Sequence, residues 1–141
     1  MMYLLDSDHI SMIHRAGEEG KRIEKRMDQI ASDQIALCII TYEEQMRGWL
    51  AEIARVRSLE QQKPRYVELN RMLELYCSTP LLSFDDKAIF IYQSLWLKRL
   101  RVGTMDLKIA SIALANEATL LTRNSSDFQK IPDLRIENWS Y

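Results

Sequence analysis

Four short runs in this chain carry adjacent apolar residues rather than an apolar/polar alternation: Tyr3-Leu4-Leu5, Ile35 to Ile40, Leu81-Leu82 and Thr119 to Thr122. A strand with one wet face alternates apolar and polar residues, so an unbroken apolar run reads as a strand buried on both faces. Stretches with helical spacing separate these runs. Short buried strands alternating with helices are the pattern of a parallel sheet covered by helices on both sides, an α/β architecture. A last strand is expected near Leu134 to Glu137. Only four glycines and three prolines punctuate the 141 residues, which disfavours a many-turned all-β fold. The length suits one domain over residues 1–141.

The helices follow from their stripes and caps. Ser7 or Asp8 can cap a short helix starting near His9. Lys21 to Ile30 carries Ile23, Met27 and Ile30 on one face. Thr41 is expected to cap a long helix with an apolar stripe through Met46, Trp49, Leu50, Ile53 and Val56. A second helix is expected after Pro64, burying Val67, Leu69, Met72, Leu73, Leu75 and Tyr76. Asp85 can cap a helix through Ile89, Ile91, Tyr92, Leu95 and Trp96. Thr104 can cap another, with Ile109, Ile112, Ala113 and Asn116 along one side.

Several function classes are disfavoured at this level. The formal charge is -1, from 19 basic and 20 acidic residues. Nucleic-acid binding by bulk charge alone is therefore excluded. No apolar run approaches a membrane span. The first ten residues are acidic and open on a strand, unlike a secretory signal. Cys38 and Cys77 lie in apolar surroundings without a CxxC partner, and read as two buried thiols of a cytoplasmic protein. With only His9 and His14 beside them, a zinc site is poorly supported.

What remains is a recurrence of acids at strand-to-helix junctions. Asp6 follows the first strand. Glu43 and Glu44 follow the second. Asp106 opens a helix after Gly103-Thr104, and Asn124 and Asp127 follow the strand ending at Thr122. Each alone has an ordinary explanation as a partner of a helix dipole. Together they are expected at one edge of the sheet, since functional groups of open parallel sheets collect at the carboxyl ends of the strands. Converging carboxylates repel one another and need a cation. Hard oxygen donors without a His or Cys cluster point to Mg²⁺ or Mn²⁺, and to phosphodiester hydrolysis. Glu44 falls on the Gly48 and Ala51 side of its helix, away from the apolar stripe. That small-residue side is expected to admit a close neighbour, which makes Glu44 the site residue and Glu43 a dipole partner.

These segments together resemble PIN-domain ribonucleases, and more closely VapC-type toxins of bacterial toxin–antitoxin pairs. The likeness lies in Tyr3-Leu4-Leu5-Asp6-Ser7-Asp8-His9-Ile10-Ser11, Ile40-Thr41-Tyr42-Glu43-Glu44-Gln45-Met46-Arg47-Gly48, Gly103-Thr104-Met105-Asp106-Leu107-Lys108-Ile109-Ala110 and Leu120-Leu121-Thr122-Arg123-Asn124-Ser125-Ser126-Asp127-Phe128. The stretch Pro132 to Trp139 also fits the family's ending. No single motif is specific; the four in order are. The resemblance implies a PIN-like three-layer α/β/α sandwich with a central parallel sheet, acting as a metal-dependent endoribonuclease. It implies that Asp6, Glu44 and Asp106 hold the metal, Mg²⁺ or Mn²⁺, and position water. Asp127 or Asn124 fills a fourth position. Asp8 stands where the family commonly has Asn. Asp8, Thr104, Thr122, Arg123 and Asn124 are candidate substrate contacts. The resemblance further implies an RNA substrate, a cognate antitoxin, a homodimer and no membrane partner.

Two other readings are open. Asp6 and Asp8 also fit a haloacid-dehalogenase-like phosphatase, for which Asp85-Asp86 would supply the paired acids. A PIN-like fold could also persist as a non-catalytic binding module, although such a module has no need of mutually repulsive carboxylates.

Overall fold

A computed structural model describes all residues, 1–141. Five strands, β1 (Tyr3–Leu5), β2 (Ile35–Cys38), β3 (Leu81–Leu82), β4 (Thr119–Leu121) and β5 (Ile136–Glu137), form one sheet in the order β3-β2-β1-β4-β5. Every pairing is parallel. Tyr3 lies opposite Ile35 on one side and Thr119 on the other; Leu37 lies opposite Leu81, and Leu120 opposite Ile136.

Seven helices cover the sheet: α1 (Ser7–Arg15), α2 (Glu18–Met27), α3 (Ile39–Arg55), α4 (Leu59–Ser78), α5 (Asp86–Trp96), α6 (Thr104–Ala115) and the single turn α7 (Ser125–Phe128). Alternate strand residues point to opposite faces. Leu4, Cys38 and Leu120 therefore enter one core with Ala88, Leu95, Leu107, Ile109 and Ile112 of α5 and α6. Their neighbours Leu5, Leu37 and Leu121 enter a second core with Ile10, Met12, Ile23, Met72 and Tyr76 of α1, α2 and α4. Two cores on two faces explain why the strands carry no alternation. The result is a three-layer α/β/α sandwich. No helix is long and apolar enough to cross a membrane.

The chain steps from β1 to β2 to β3 in one direction, then returns to place β4 on the other side of β1. The order reverses between β1 and β4, which makes their carboxyl ends the switch point of the sheet, where open parallel sheets place their functional groups.

Several local expectations need correction. β2 ends at Cys38, and α3 begins at Ile39 rather than after a Thr41 cap. Thr41 is fully buried; its hydroxyl donates to the Cys38 carbonyl at 2.8 Å and accepts from Tyr76 Oη at 3.1 Å. Helix α4 starts at Leu59, before Pro64, because the Ser58 hydroxyl accepts from the Gln61 amide at 3.1 Å. Pro64 inside the helix forfeits one backbone bond. Of the expected α4 core positions only Met72 and Tyr76 are buried, while Val67, Leu73 and Leu75 are exposed; on α3, Leu50 is exposed too. Gly103, not Thr104, occupies the cap of α6. Cys77 is exposed, whereas Cys38 is buried, and both are free thiols.

Candidate active site

Asp6 is the residue at which β1 becomes α1. Its extended backbone makes it the N-cap of α1, and its Oδ1 accepts from the Ser7 amide at 2.8 Å. Asp6, not Ser7 or Asp8, therefore caps this helix. Its Oδ2 accepts from Thr122 Oγ1 at 2.7 Å. Thr122 directly follows β4, so the two central strands join their ends through this one hydroxyl.

Asp8 faces the same hydroxyl. Its Oδ2 lies 3.1 Å from Thr122 Oγ1 and accepts from the Arg123 amide at 2.9 Å. Its Oδ1 lies 2.7 Å from Nδ1 of His9, a fully buried residue. His9 Nε2 accepts from the Trp139 amide at 3.1 Å, which leaves the proton of the neutral ring on Nδ1, facing Asp8.

Glu44 projects from α3, where Oε1 accepts from Ser7 Oγ at 2.9 Å. Glu43 instead forms an i,i+4 ion pair with Arg47 at 2.5 Å. The two acids thus meet different partners, and Glu43, lying beyond the first turn of α3, is not the dipole partner expected of it. The expected close neighbour at Gly48 is absent: nothing lies within 4 Å of a Cβ built there. Gly48 instead lines an open groove of about 410 Å³ with Ser11, Glu44, Gln45 and Trp49.

Asp106, in the first turn of α6, and Asp127, in α7, meet through Asn124. Its Nδ2 donates to Asp106 Oδ2 at 3.3 Å and to Asp127 Oδ2 at 3.1 Å. The Asn124 amide also donates to Thr122 Oγ1 at 3.0 Å. Asn124 and Asp127 therefore share one arm of the cluster, and Lys130 lies 3.4 Å from the outer oxygen of Asp127. The Arg123 guanidinium turns away toward Glu19 of α2, at 2.8 Å. Thr104 is exposed at the start of α6, and its hydroxyl bonds to none of these acids.

The electrostatics grade the acids. Burial, the Asp8 charge and more weakly Asp106 push the Asp6 carboxyl up to about 7, against the bonds from Thr122 and Ser7. Burial also raises Asp106, assisted by the charges of Glu44, Asp127 and Asp8. Burial works against ionised Asp8 as well, but the bonds from His9 and the Arg123 amide outweigh it and hold that carboxyl below its ordinary value. Asn124 and Lys130 lower the half-buried Asp127. Burial and neighbouring charges thus raise two acids, Asp6 and Asp106, while hydrogen-bond donors hold Asp8 and Asp127 ionised.

No three carboxylates, imidazoles or thiols stand at the spacing of a preformed metal cage. The neutral donors Ser7, Thr122 and Asn124 lie between the acids instead. The donor set still fits a hard cation. Mg²⁺ commonly takes one or two carboxylates and keeps several waters, and positive charge would relieve the repulsion at Asp6 and Asp106.

Sequence reasoning missed Ser7, which ties α1 to Glu44, and His9, which ties Asp8 to residue 139. Ser7 had a signal in its place beside Asp6 at a helix start. The role of His9 had none, because its partner is 130 residues away. The pair Asp85-Asp86 carries no second acidic site. Asp85 is used as the cap of α5, accepting from the Ala88 amide at 3.0 Å, and β2 separates its strand from β1.

Comparison with known proteins agrees with this fold. The chain is 27% identical to "Ribonuclease VapC1" of Haemophilus influenzae and 28% identical to "Ribonuclease VapC2" of Rickettsia felis. The first match covers 99% of both chains, the second 99% of this chain and 98% of the relative. Among solved structures, VapBC-1 from nontypeable Haemophilus influenzae superposes with a TM-score of 0.76 at 26% identity, over the full length of both chains. VapBC2 from Rickettsia felis, bound to a DNA fragment from its promoter, gives 0.70 at 28% identity, over 99% of each chain. A family model, the PIN domain, matches residues 3–134. A parallel sheet with acids gathered at its β1/β4 switch point, and a family match over nearly the whole chain, lead to one assignment: this protein belongs to the PIN domain family.

Proposed function

We propose that this chain is a metal-dependent endoribonuclease and the toxin of a toxin–antitoxin pair, working in the cytoplasm. The observation that carries the reading is the convergence of Asp6, Asp8, Glu44, Asp106 and Asp127 around Thr122, Ser7 and Asn124 at one sheet edge. The ribonuclease relatives and their VapBC complexes support the substrate class and the antitoxin partner.

In this reading Asp6 and Asp106 hold Mg²⁺ or Mn²⁺, with Glu44 and Asp127 completing the set or holding its waters. A bound divalent cation supplies positive charge to the phosphate and polarises the attacking water. The chain's part is positioning. Thr122 and the Ser7 amide aim the Asp6 oxygens, the Ser7 hydroxyl holds Glu44, and Asn124 bridges Asp106 and Asp127. An acid strained by its neighbours can also take the proton that water gives up.

The paired His residues that metal-free cleavage through the ribose 2′-hydroxyl calls for are not at this site. His14 pairs with Glu68, and His9 is buried with both nitrogens engaged. Water is therefore the nucleophile, and the cut leaves a 5′-phosphate and a 3′-hydroxyl. The test is to incubate the purified chain with a defined single-stranded RNA and Mn²⁺, then weigh the fragments. Ends carrying 2′,3′-cyclic phosphate, or cleavage that persists in EDTA, would refute the mechanism.

The same reading includes a homodimer. Phe90, Trp96 and Leu97 of the α5 region are 70%, 56% and 79% exposed. Trp96 and Leu97 line a largely apolar cavity of about 550 Å³ together with Leu95, Leu100, Val102 and Leu107. Burying this face against a second copy removes these large apolar side chains from water. Light scattering at micromolar concentration is expected to give twice the 16.6 kDa chain mass. Trp96→Glu is expected to return the monomer, and a monomeric native chain would contradict this part of the reading.

A further inference from the structure

Beside the acids, a second cavity of about 520 Å³ opens at the carboxyl ends of β4 and β5. Arg26 of α2, Ser125 of α7 and Glu137, Asn138 and Tyr141 line it, and Thr122 forms the wall it shares with Asp6. The segment that builds it is held in place along its length. His9 Nε2 takes the Trp139 amide, and the Trp139 indole donates to Glu137 Oε1 at 3.0 Å and packs on Tyr3. Asn138 Oδ1 accepts both the amide and the hydroxyl of Ser140, at 2.9 and 2.6 Å. Arg22 Nε donates to the Ser140 carbonyl at 2.7 Å, and Arg26 to that of Tyr141 at 3.3 Å.

This leaves a defined set of free groups. The Asn138 amide nitrogen keeps both donors, because only its oxygen is engaged. Glu137 keeps one acceptor oxygen. The exposed Tyr141 ring offers a flat apolar face, and Arg26 keeps its charge and the N–H donors not spent on Tyr141. Adjacent donor and acceptor groups match the edge of an unpaired base. An aromatic face stacks it, and an arginine takes the neighbouring phosphate.

We infer that this cavity is a nucleotide subsite: it receives the base of one unpaired nucleotide flanking the scissile phosphate, read by Asn138 and Glu137, with Arg26 on the adjoining phosphate. The inference rests on the ribonuclease reading and adds to it where sequence preference originates.

The test uses a single-stranded RNA library randomised around the cut, with the full-length native chain, Asn138→Asp and Arg26→Gln, all in Mn²⁺. Asn138→Asp keeps the acceptor that Ser140 needs and removes only the two donors. Unchanged thermal unfolding midpoints establish that the variants are folded. The native chain is expected to prefer particular bases at one position beside the cut. Asn138→Asp should lower that preference about tenfold, the scale of one lost base contact. Added negative charge alone would slow all sequences equally and leave the preference intact. Arg26→Gln should raise KM about tenfold for every sequence, as the loss of a phosphate contact does. A native base profile in Asn138→Asp, together with an unchanged KM in Arg26→Gln, overturns the subsite and leaves the ribonuclease reading standing. A native chain that cuts no RNA overturns both.

Discussion

Asp6→Asn is expected to abolish RNA cleavage, by about a thousandfold or more, while making the metal-free protein more stable. The two effects have one cause. Asp6 is almost fully buried beside Asp8 and Asp106, and without a cation its carboxyl titrates near 7. In the unfolded chain the same group titrates at 3.8. Between those values the folded protein binds the extra proton, so stability falls as pH rises from about 4 to about 7. The full penalty, about 4 kcal/mol, is present above that window. Asn removes it at little local cost. It caps a helix as well as Asp does, so Oδ1 keeps the Ser7 amide. Its Nδ2 then meets Thr122 Oγ1, whose hydrogen can turn to Asp8 Oδ2, 3.1 Å away. Thermal unfolding in EDTA should show Asn above native at pH 8, with the gap closing toward pH 5. A gap that does not change with pH would contradict the electrostatic account.

The second large effect comes from a glycine. Helix α2 crosses α1 so closely that a Cβ built on Gly20 would sit 2.3 Å from the Met12 carbonyl oxygen and 2.9 Å from its carbon. These are backbone atoms, so no rotamer change relieves the clash. Gly20→Ala must push the two helices apart, at a cost of about 3 kcal/mol. For a chain of this size that lowers Tm by roughly 10 °C. The strain falls on α1, which Asp6 caps, so the variant should lose nuclease activity along with stability. Gly48→Ala provides the control. Nothing lies within 4 Å of the added atom there. The same substitution on α3 should therefore stabilise the protein by about 1 kcal/mol through helix propensity alone. Equal melting temperatures for the two variants would contradict this packing argument.

The architecture was legible because it rests on local rules. A strand buried on both faces must be apolar throughout, so Leu4 and Leu5, or Leu120 and Leu121, announce a covered parallel sheet wherever they pair. Asp85 caps α5 as its place before a helical stripe requires. The positions of Asp6, Glu44 and Asp106 after their strands also imply one edge, because all parallel strands end on the same side. Boundaries were less legible: the apolar run 35–40 continues into α3, and hydropathy alone cannot mark where strand becomes helix.

Which apolar face stays uncovered was not legible either. A helical stripe records that a surface wants a neighbour, but Val67, Leu73, Phe90 and Trp96 show that the chain does not always supply one. The hydrogen bonding of the site was the least legible part. Thr122 serves Asp6 from 116 residues away, and His9 serves Asp8 only because the Trp139 amide occupies its other nitrogen. Such bonds depend on atoms meeting within a few tenths of an ångström. That precision comes from how two cores seat β1 against β4 and α1 against α2, and no spacing along the sequence encodes it. Local pattern alone determined that a parallel sheet would carry acids along its carboxyl edge. Tertiary packing decided which oxygen each acid offers, which donor holds it, and how strongly it keeps its proton.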